Sequence, residues 1–284
     1  MNEGFRAACV IGWPAGHSRS PLIHNYWIKR HGLTAEYRRE AVPPEKFAEF
    51  VASWGERGYV GANVTLPHKE AALRLSRPDE RAQAVGAANT LWLEGSVLCS
   101  TNTDVEGFTE NLDAAAPRWD AGLASAIVLG AGGAARAVVF ALLNRGAARV
   151  YVANRTFEKA QALHARFGER VSPLRWGDVN GLAAGAGLLV NATSLGMDGQ
   201  PELDIDVSRL PPRAVVADIV YVPLQTALLA AARQRGLRTA DGLGMLLHQA
   251  VRGFSLWFGV RPQVTEELRA VVEADLKSGA SAEK

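Results

Sequence analysis

Two serines separated by one residue stand where a helix is predicted to begin. Ser18 and Ser20 precede Pro21, a residue that favours the first turn of a helix, and apolar residues at helical spacing follow. The N-cap position explains Ser20 fully, but it does not explain Ser18. Paired hydroxyls beside a helix N-terminus could also hold a small carboxylate. The spacing alone favours the cap, and the carboxylate site is the alternative.

A second polar segment leads to a lysine in an unusual position. If the chain is extended at Asn63 and Thr65, both side chains point to one face while Val64 packs inward. Pro67 is predicted to begin a short helix that places Lys69 in its first turn, near the positive end of the helix dipole. A lysine at that place suits a group that exchanges a proton. The alternative is an exposed surface lysine.

Further amides and a carboxylate flank a predicted β-hairpin with arms over Thr90–Leu93 and Val97–Thr101. Asn89 precedes the first arm, and Asn102 and Asp104 follow the second. The last two residues share a face if the chain is extended there, or Asp104 caps the following helix. The histidines show no metal-ligand spacing, so no metal is expected.

A glycine-rich turn between two predicted strands is the element that would position a nucleotide. The strand, turn, helix and second strand are predicted over Ala126–Leu129, Gly130–Ala135, Arg136–Arg145 and Val150–Val152. Gly130 permits a tight turn, Gly132 lets backbone N–H groups approach a pyrophosphate, and Ala135 is small enough for close packing of helix and strand. The alternative is that the small residues serve packing alone. The candidate phosphate-binding residues are Gly130, Ala131, Gly132, Gly133 and Ala134.

The end of the second strand bears on which dinucleotide is bound. Asn154, Arg155 and Thr156 follow the strand, and no carboxylate occurs before Glu158 to bind the ribose 2′-OH of NAD. Because the guanidinium of Arg155 suits a 2′-phosphate, the sequence predicts NADP. The alternative is a solvated loop charge. The loop that follows a later strand, Asn191–Met197, is where a nicotinamide would lie.

Length and composition point to an ordinary globular protein of about two domains. The chain has 284 residues, 48% of them hydrophobic, and a formal charge of +2 with dispersed basic residues, so nothing indicates a nucleic-acid or membrane partner. Cys9 and Cys99 lie far apart and are expected to be buried thiols of a reducing compartment. The start of the chain has no signal-peptide pattern, and the expected location is the cytoplasm.

Taken together, these segments resemble shikimate dehydrogenases over nearly the whole chain. The segments that carry the resemblance are His17–Pro21, Asn63–Lys69, Gly86–Thr90, Asn102–Asp104, the glycine turn with Asn154–Thr156, Asn191–Met197 and Gly242–Gln249. Any one segment is a weak signal, but their order and spacing together are specific. Ala88 stands where the family often has valine, and no chemical consequence is expected from it.

The resemblance implies NADPH-dependent reduction of 3-dehydroshikimate to shikimate, on the route to chorismate and the aromatic amino acids. It implies Lys69 and Asp104 as the catalytic pair, and it favours Ser18 and Ser20 as a carboxylate site over a mere cap. The implied substrate-binding residues are Ser18, Ser20, Asn63, Thr65, Asn89, Tyr221 and Gln249. The implied cofactor-binding residues are Gly130, Ala131, Gly132, Gly133, Ala134, Asn154, Arg155, Thr156, Thr193, Met197 and Gly242.

The resemblance also implies two α/β domains. The expected bounds are residues 1–107, completed by 242–284, for a discontinuous substrate domain, and 108–241 for a doubly wound, Rossmann-type NADP domain. A small-molecule substrate and a monomer or homodimer are expected. Two alternatives stay open: a quinate/shikimate dehydrogenase with broader substrate or cofactor use, and a ligand-sensing homologue without turnover. The presence of Lys69 and Asp104 argues against the second.

Overall fold

The chain forms two units that each combine a β-sheet with helices, in a computed structural model that describes residues 6–282. The first unit runs to Thr103 and resumes at Gln249, and the second is Asp104–His248. The predicted fold class, two α/β domains of which the first is discontinuous, is confirmed. The predicted domain bounds, residues 1–107 with 242–284 and residues 108–241, differ from these junctions by a few residues. The function of each domain remains a prediction.

The first unit contains a six-stranded mixed sheet with the order β2-β1-β3-β5-β6-β4. Its strands are β1 Arg6–Gly12, β2 Ala35–Ala41, β3 Tyr59–Val64, β4 Arg77–Pro78, β5 Thr90–Glu94 and β6 Val97–Thr101. The strand β1 pairs in parallel with β2 and β3, whereas β5 runs antiparallel to both β3 and β6. The antiparallel pair of β5 and β6 is the predicted hairpin, and the pairing brings the end of β3, the start of β5 and the end of β6 close together.

The first unit contains short helices, and one of them is shorter than the sequence pattern predicts. They are α1 Ser20–Arg30, α2 Phe47–Ala52, α3 Trp54–Arg57, α4 Lys69–Leu75 and α5 Glu80–Val85. The apolar spacing of Pro44–Trp54 in the sequence predicts a single amphipathic helix. This prediction is wrong, because α2 ends before Ser53. The Ser53 hydroxyl donates to the carbonyl of Phe50 at 3.0 Å, and such a bond competes with the regular helix.

The second unit is built on a six-stranded sheet whose strands are all parallel, in the order β12-β11-β10-β7-β8-β9. Its strands are β7 Ser125–Leu129, β8 Arg149–Ala153, β9 Val171–Leu174, β10 Leu188–Asn191, β11 Val215–Asp218 and β12 Arg238–Ala240. This is the doubly wound order, and the direction of winding reverses between β7 and β10. In such sheets a ligand binds at the carboxyl ends of the strands beside that reversal.

The helices beginning within the second unit are α6 Asp104–Ala115, α7 Gly133–Asn144, α8 Phe157–Phe167, α9 Val179–Leu182, α10 Ala227–Gln234 and α11 Gly242–Phe258. The last of these continues into the first unit, where α12 Glu266–Ala282 follows. The helix α7 follows β7 after a glycine turn, as predicted, although it begins at Gly133 and not at Arg136, and its Ala135 is completely buried. Among the described residues, no helix combines the length and apolar character that crossing a membrane requires.

Each unit has its own apolar core. In the first, Phe47, Phe50 and Trp54 of α2 and α3 pack with Ile11 and Leu91 of the sheet. In the second, residues of the parallel strands pack with α10 and with the segment between β10 and β11. Burial of one large apolar side chain contributes about 1.5–3 kcal/mol, so these cores can hold the strand ends in place.

Candidate active site

Ser20, at the start of α1, does not have the capping role that the spacing predicts. Ser20 is the first residue of the helix, and Arg19 occupies the N-cap position without a capping bond from its side chain. Instead the Ser18 hydroxyl accepts a hydrogen bond from the Ser20 N–H at 3.3 Å. The interpretation of Ser20 as the N-cap is therefore wrong, since the helix begins one residue earlier than the proline suggests.

Asn63 lies at the end of β3 and is buried, with 5% of its surface exposed. Its amide nitrogen donates to the Asn89 carbonyl at 3.4 Å and to the Thr90 hydroxyl at 3.2 Å. Its oxygen accepts from the Tyr37 hydroxyl at 2.7 Å. Val64 packs in the core as predicted, whereas Thr65 lies just past the strand and is half-buried.

Lys69 is the first residue of α4, so its predicted place in a first helical turn is confirmed. Pro67 does not begin the helix, because the N-cap is His68. The Lys69 carbonyl accepts from the Ala88 N–H at 2.9 Å. This bond ties the start of α4 to the segment that carries Asn89.

Asn89 and Asn102 are both buried, and each is held by the backbone of another segment. The Asn89 side-chain oxygen accepts from the Thr103 N–H at 2.8 Å, and the Asn102 amide donates to the Ala87 carbonyl at 2.9 Å. Asp104 follows as the first residue of α6 and is also buried. The extended-chain alternative for Asp104 is therefore wrong at that residue, which is helical.

Gln249 connects helix α11 to this group of residues in the first unit. Its side-chain oxygen accepts from the Thr103 hydroxyl at 3.4 Å. Burial raises the pKa of Tyr37, whose hydroxyl donates to Asn63 in the same group. The first unit thus brings together three predicted substrate-binding side chains. They are Asn63, Asn89 and Gln249, and sequence reasoning missed Tyr37, Thr90 and Thr103, which link them.

The glycine turn of the second unit has the geometry that a pyrophosphate requires. Gly130 has a φ of 104°, and a side chain there would meet the Ala192 carbonyl at 2.8 Å, so only glycine fits. Gly132 is the N-cap of α7, and the position of its missing side chain is open space. The first N–H groups of a helix have no partner within it, and no acidic residue lies in this first turn. The turn therefore fits a dinucleotide phosphate.

The loop after β8 lies at the surface and its shape is set locally. The Asn154 amide donates to the Thr156 carbonyl at 2.7 Å, across Arg155. Arg155 itself is exposed. The loop can therefore present a guanidinium to an anion without disturbing the packed interior.

A buried carboxylate that sequence reasoning missed organises the loops after β10 and β11. Asp218 accepts from the Asn191 amide at 2.9 Å, the Val220 N–H at 3.0 Å and the Thr226 hydroxyl at 2.7 Å. Burial raises the pKa of Asp218, and these three bonds lower it by less. An acid at the end of an apolar strand was the available signal.

The same network reaches predicted cofactor residues. The Asn191 oxygen accepts from the Thr193 hydroxyl at 2.7 Å, which fixes the start of the loop that ends at Met197. Met197 is 38% exposed. Gly242, at the start of α11, has no room for a side chain, since one would collide with the Ile219 carbonyl. Tyr221 is half-buried and follows β11 by three residues.

The fold and the glycine turn define a protein with a Rossmann-type dinucleotide-binding unit and a second α/β unit lined with buried amides. Family models agree with this division. Residues 10–91 match the shikimate dehydrogenase substrate binding domain, 115–196 match shikimate/quinate 5-dehydrogenase, and 242–273 match the shikimate 5′-dehydrogenase C-terminal domain.

Individual proteins are similar over almost the full length. A shikimate dehydrogenase (NADP(+)) of Rhodopseudomonas palustris strain TIE-1 is 68% identical over 271 residues, which are 95% of this chain and 97% of that protein. The chain belongs to the shikimate dehydrogenase family.

Two solved structures have the same fold. A shikimate 5-dehydrogenase of Thermus thermophilus, in complex with NADP(H) and shikimate, is 35% identical with a TM-score of 0.81, over 96% of this chain and 99% of that one. A quinate dehydrogenase of Corynebacterium glutamicum, in complex with NAD, is 32% identical with a TM-score of 0.88, over 95% of this chain and all of that one.

Proposed function

We propose that this chain catalyses the reversible reduction of 3-dehydroshikimate to shikimate with NADPH, a step in the biosynthesis of chorismate and the aromatic amino acids. The observation that carries the proposal is the high identity with an NADP-dependent shikimate dehydrogenase along nearly the whole chain. The polar residues of the first unit and the glycine turn of the second support it.

Substrate binding is assigned to the polar residues of the first unit together with Tyr221. A polyhydroxylated ring acid needs several fixed donors and acceptors, and the amides of Asn63, Asn89 and Gln249 are held by other groups of the protein. Thr65 adds a hydroxyl beyond the end of β3. We assign the carboxylate of the substrate to Ser18, Ser20 and Tyr221.

Proton transfer is assigned to Lys69, with Asp104 in support. Reduction of a ketone leaves charge on its oxygen, and a proton donor beside that oxygen stabilises the transition state. Lys69 can give this proton, and the bond from Ala88 to its carbonyl fixes where its backbone lies. Asp104 offers a carboxylate that orients the donor.

Cofactor binding is assigned to the second unit. NADPH supplies the hydride when it is bound. Its pyrophosphate is assigned to the turn at Gly130–Ala134, and its 2′-phosphate to Arg155 with Asn154 and Thr156. Thr193, Met197 and Gly242 are assigned to the nicotinamide end. Thr193 and Met197 follow β10 and Gly242 follows β12, and ligands of such sheets bind at the carboxyl ends of the strands.

The test is an absorbance assay of cofactor reduction with four pairs, shikimate or quinate with NADP or NAD. The fastest turnover is expected with shikimate and NADP, and heat-denatured protein gives the blank. Quinate with NAD is the second candidate, because the similar Corynebacterium glutamicum structure is a quinate dehydrogenase in complex with NAD. Absence of reduction with shikimate and either cofactor would contradict the proposal.

The domain assignment, location and assembly are part of the same proposal. We assign residues 1–107 and 242–284 to substrate binding and 108–241 to NADP. A cytoplasmic location is supported by Cys9 and Cys99, which are both free and buried thiols. The predicted monomer or homodimer is testable by light scattering.

A further inference from the structure

A continuous chain of hydrogen bonds crosses the first unit and begins at a residue outside the proposed site. The Tyr37 hydroxyl donates to Asn63, and the Asn63 amide donates to the Thr90 hydroxyl. The Thr90 hydroxyl lies 3.2 Å from that of Thr103, which in turn lies 3.4 Å from the Gln249 oxygen. These hydrogen bonds thus join β2, β3, β5, the segment after β6 and α11.

Two backbone groups fix the direction of these bonds. A carbonyl can only accept, so the Asn89 carbonyl requires the nitrogen side of the Asn63 amide to face it. A backbone N–H can only donate, so the Thr103 N–H requires the oxygen side of the Asn89 amide. Tyr37 therefore meets the oxygen of Asn63 and must be the donor.

Counting the bonds of Asn63 shows what it can offer a ligand. A primary amide has two N–H donors and an oxygen with two lone pairs. The Asn89 carbonyl and the Thr90 hydroxyl take the donors, and Tyr37 takes one lone pair. The remaining capacity of Asn63 is to accept one hydrogen bond.

Tyr37 is itself held firmly in place. Its backbone N–H and carbonyl both bond to the Asn25 side chain of α1, each at 2.9 Å. Its ring stacks on that of His24, with 4.2 Å between the centroids. Within the part of the chain that the structure describes, neither nitrogen of the completely buried His24 has a hydrogen-bond partner. Burial lowers the pKa of His24 to about 3, so the stacked ring is neutral.

We propose that Tyr37 is a positioning residue for the reaction proposed above: it locks the Asn63 amide so that its oxygen accepts a hydrogen bond from a ring hydroxyl of the substrate. The proposal rests on the proposed function. Tyr37 acts through Asn63 and does not touch the substrate itself. Without the phenol, the amide oxygen loses its donor, and the amide is held only through its nitrogen, by the Asn89 carbonyl and the Thr90 hydroxyl.

The test compares Tyr37→Phe with the wild type, since this change removes only the hydroxyl and keeps the stacked ring. We expect the KM for shikimate to rise about tenfold, as loss of one buried hydrogen bond would give, with the KM for NADP within about twofold. In an Asn63→Ala background the same change should alter the KM for shikimate less than about twofold, because the amide that it positions is gone.

Tyr59→Phe is the matched control. Tyr59 is also buried in the first unit. Its hydroxyl donates to Glu40, and neither residue takes part in the hydrogen bonds that run from Tyr37 to Gln249. We expect this variant to leave the KM for shikimate within about twofold of the wild type. An equal rise in both tyrosine variants, or a full effect of Tyr37→Phe in the Asn63→Ala background, would overturn the proposal.

A second readout does not depend on turnover. The side-chain amide protons of Asn63 can be followed by NMR and identified by their absence in Asn63→Ala. We expect their exchange with solvent to be at least about tenfold faster in Tyr37→Phe than in the wild type. Unchanged exchange would overturn the proposal even with an active enzyme. Faster exchange in an enzyme inactive on shikimate would support the locking of Asn63 while the proposed function fails.

Discussion

The substrate side and the cofactor side of the proposed site are built in different ways. On the substrate side Asn63, Asn89 and Gln249 are buried, and hydrogen bonds from other segments hold their amides. On the cofactor side Gly132 and Arg155 are exposed, and the shape of a backbone turn makes the site. A residue of the first kind therefore serves both folding and binding, whereas Arg155 can be changed without loss of stability.

The largest effect is expected for Lys69→Ala, which tests whether the substrate side contains the chemistry as well as the binding. We expect kcat to fall by roughly 10²–10⁴-fold, the usual contribution of a positioned acid or base. The KM for shikimate should change far less. Lys46→Ala, in the same unit and in an exposed ion pair with Glu49, is the control and should leave kcat unchanged.

Asp104→Asn should also lower kcat, because it removes the charge that supports Lys69. If the two residues act as a unit, the double variant is much less impaired than the product of the single effects. A Lys69→Ala enzyme with a raised KM and a kcat within a few-fold of the wild type would show that Lys69 only binds substrate.

A smaller effect, confined to one ligand, is expected for Arg155→Ala on the cofactor side. The KM for NADP should rise about 10- to 100-fold, because a charge-assisted contact with phosphate contributes roughly 1.5–3 kcal/mol. The KM for NAD should stay within about twofold. Arg149→Ala, at the opposite end of β8, is the control, and equal weakening of both cofactors would exclude a role in reading the 2′-phosphate.

The sequence was sufficient for the features that depend on local pattern. The βαβ unit from Ser125 to Ala153, the hairpin and the place of Lys69 follow from short-range periodicity and turn chemistry. The pattern was insufficient at Ser53, where a side-chain bond ends a helix, and at Ser20, where the helix begins one residue earlier than the capping rule suggests.

The residues that sequence reasoning missed depend on contacts between distant segments. Tyr37 reaches Asn63 only because β1 pairs with both β2 and β3, and Asp218 reaches Thr226 only through the turn after β11. Neither contact leaves a spacing in the sequence. The register of a sheet and the path of a loop must be known before such partners can be named.

The smallest effect concerns Asp218, a buried carboxylate with a raised pKa behind the cofactor loops. Because its folded-state pKa lies above the unfolded value of 3.8, the folded protein binds this proton more tightly, and the free energy of unfolding falls as pH rises through that window. Asp218→Asn removes this contribution. We expect the Tm of the variant, relative to the wild type, to increase from about pH 4 to pH 7.

Asp206 provides a control of opposite sign for that measurement. It is fully exposed, and its bonds to Ser208 lower its pKa, so the stability that it contributes is present above its unfolded pKa and is lost as pH falls. Asp206→Asn should therefore lose stability relative to the wild type as pH rises. The same trend in both variants would show that the pH dependence does not come from Asp218.

The most direct test of the difference between the two sides is equilibrium unfolding of Asn63→Ala and Arg155→Ala by denaturant, measured beside the affinity of each for its own ligand. We expect Asn63→Ala to lower the free energy of unfolding by about 1–3 kcal/mol, because it leaves buried partners unpaired. Arg155→Ala should stay within about 0.5 kcal/mol of the wild type, although each variant binds its ligand at least about tenfold more weakly. Equal losses of stability in the two variants would contradict the account.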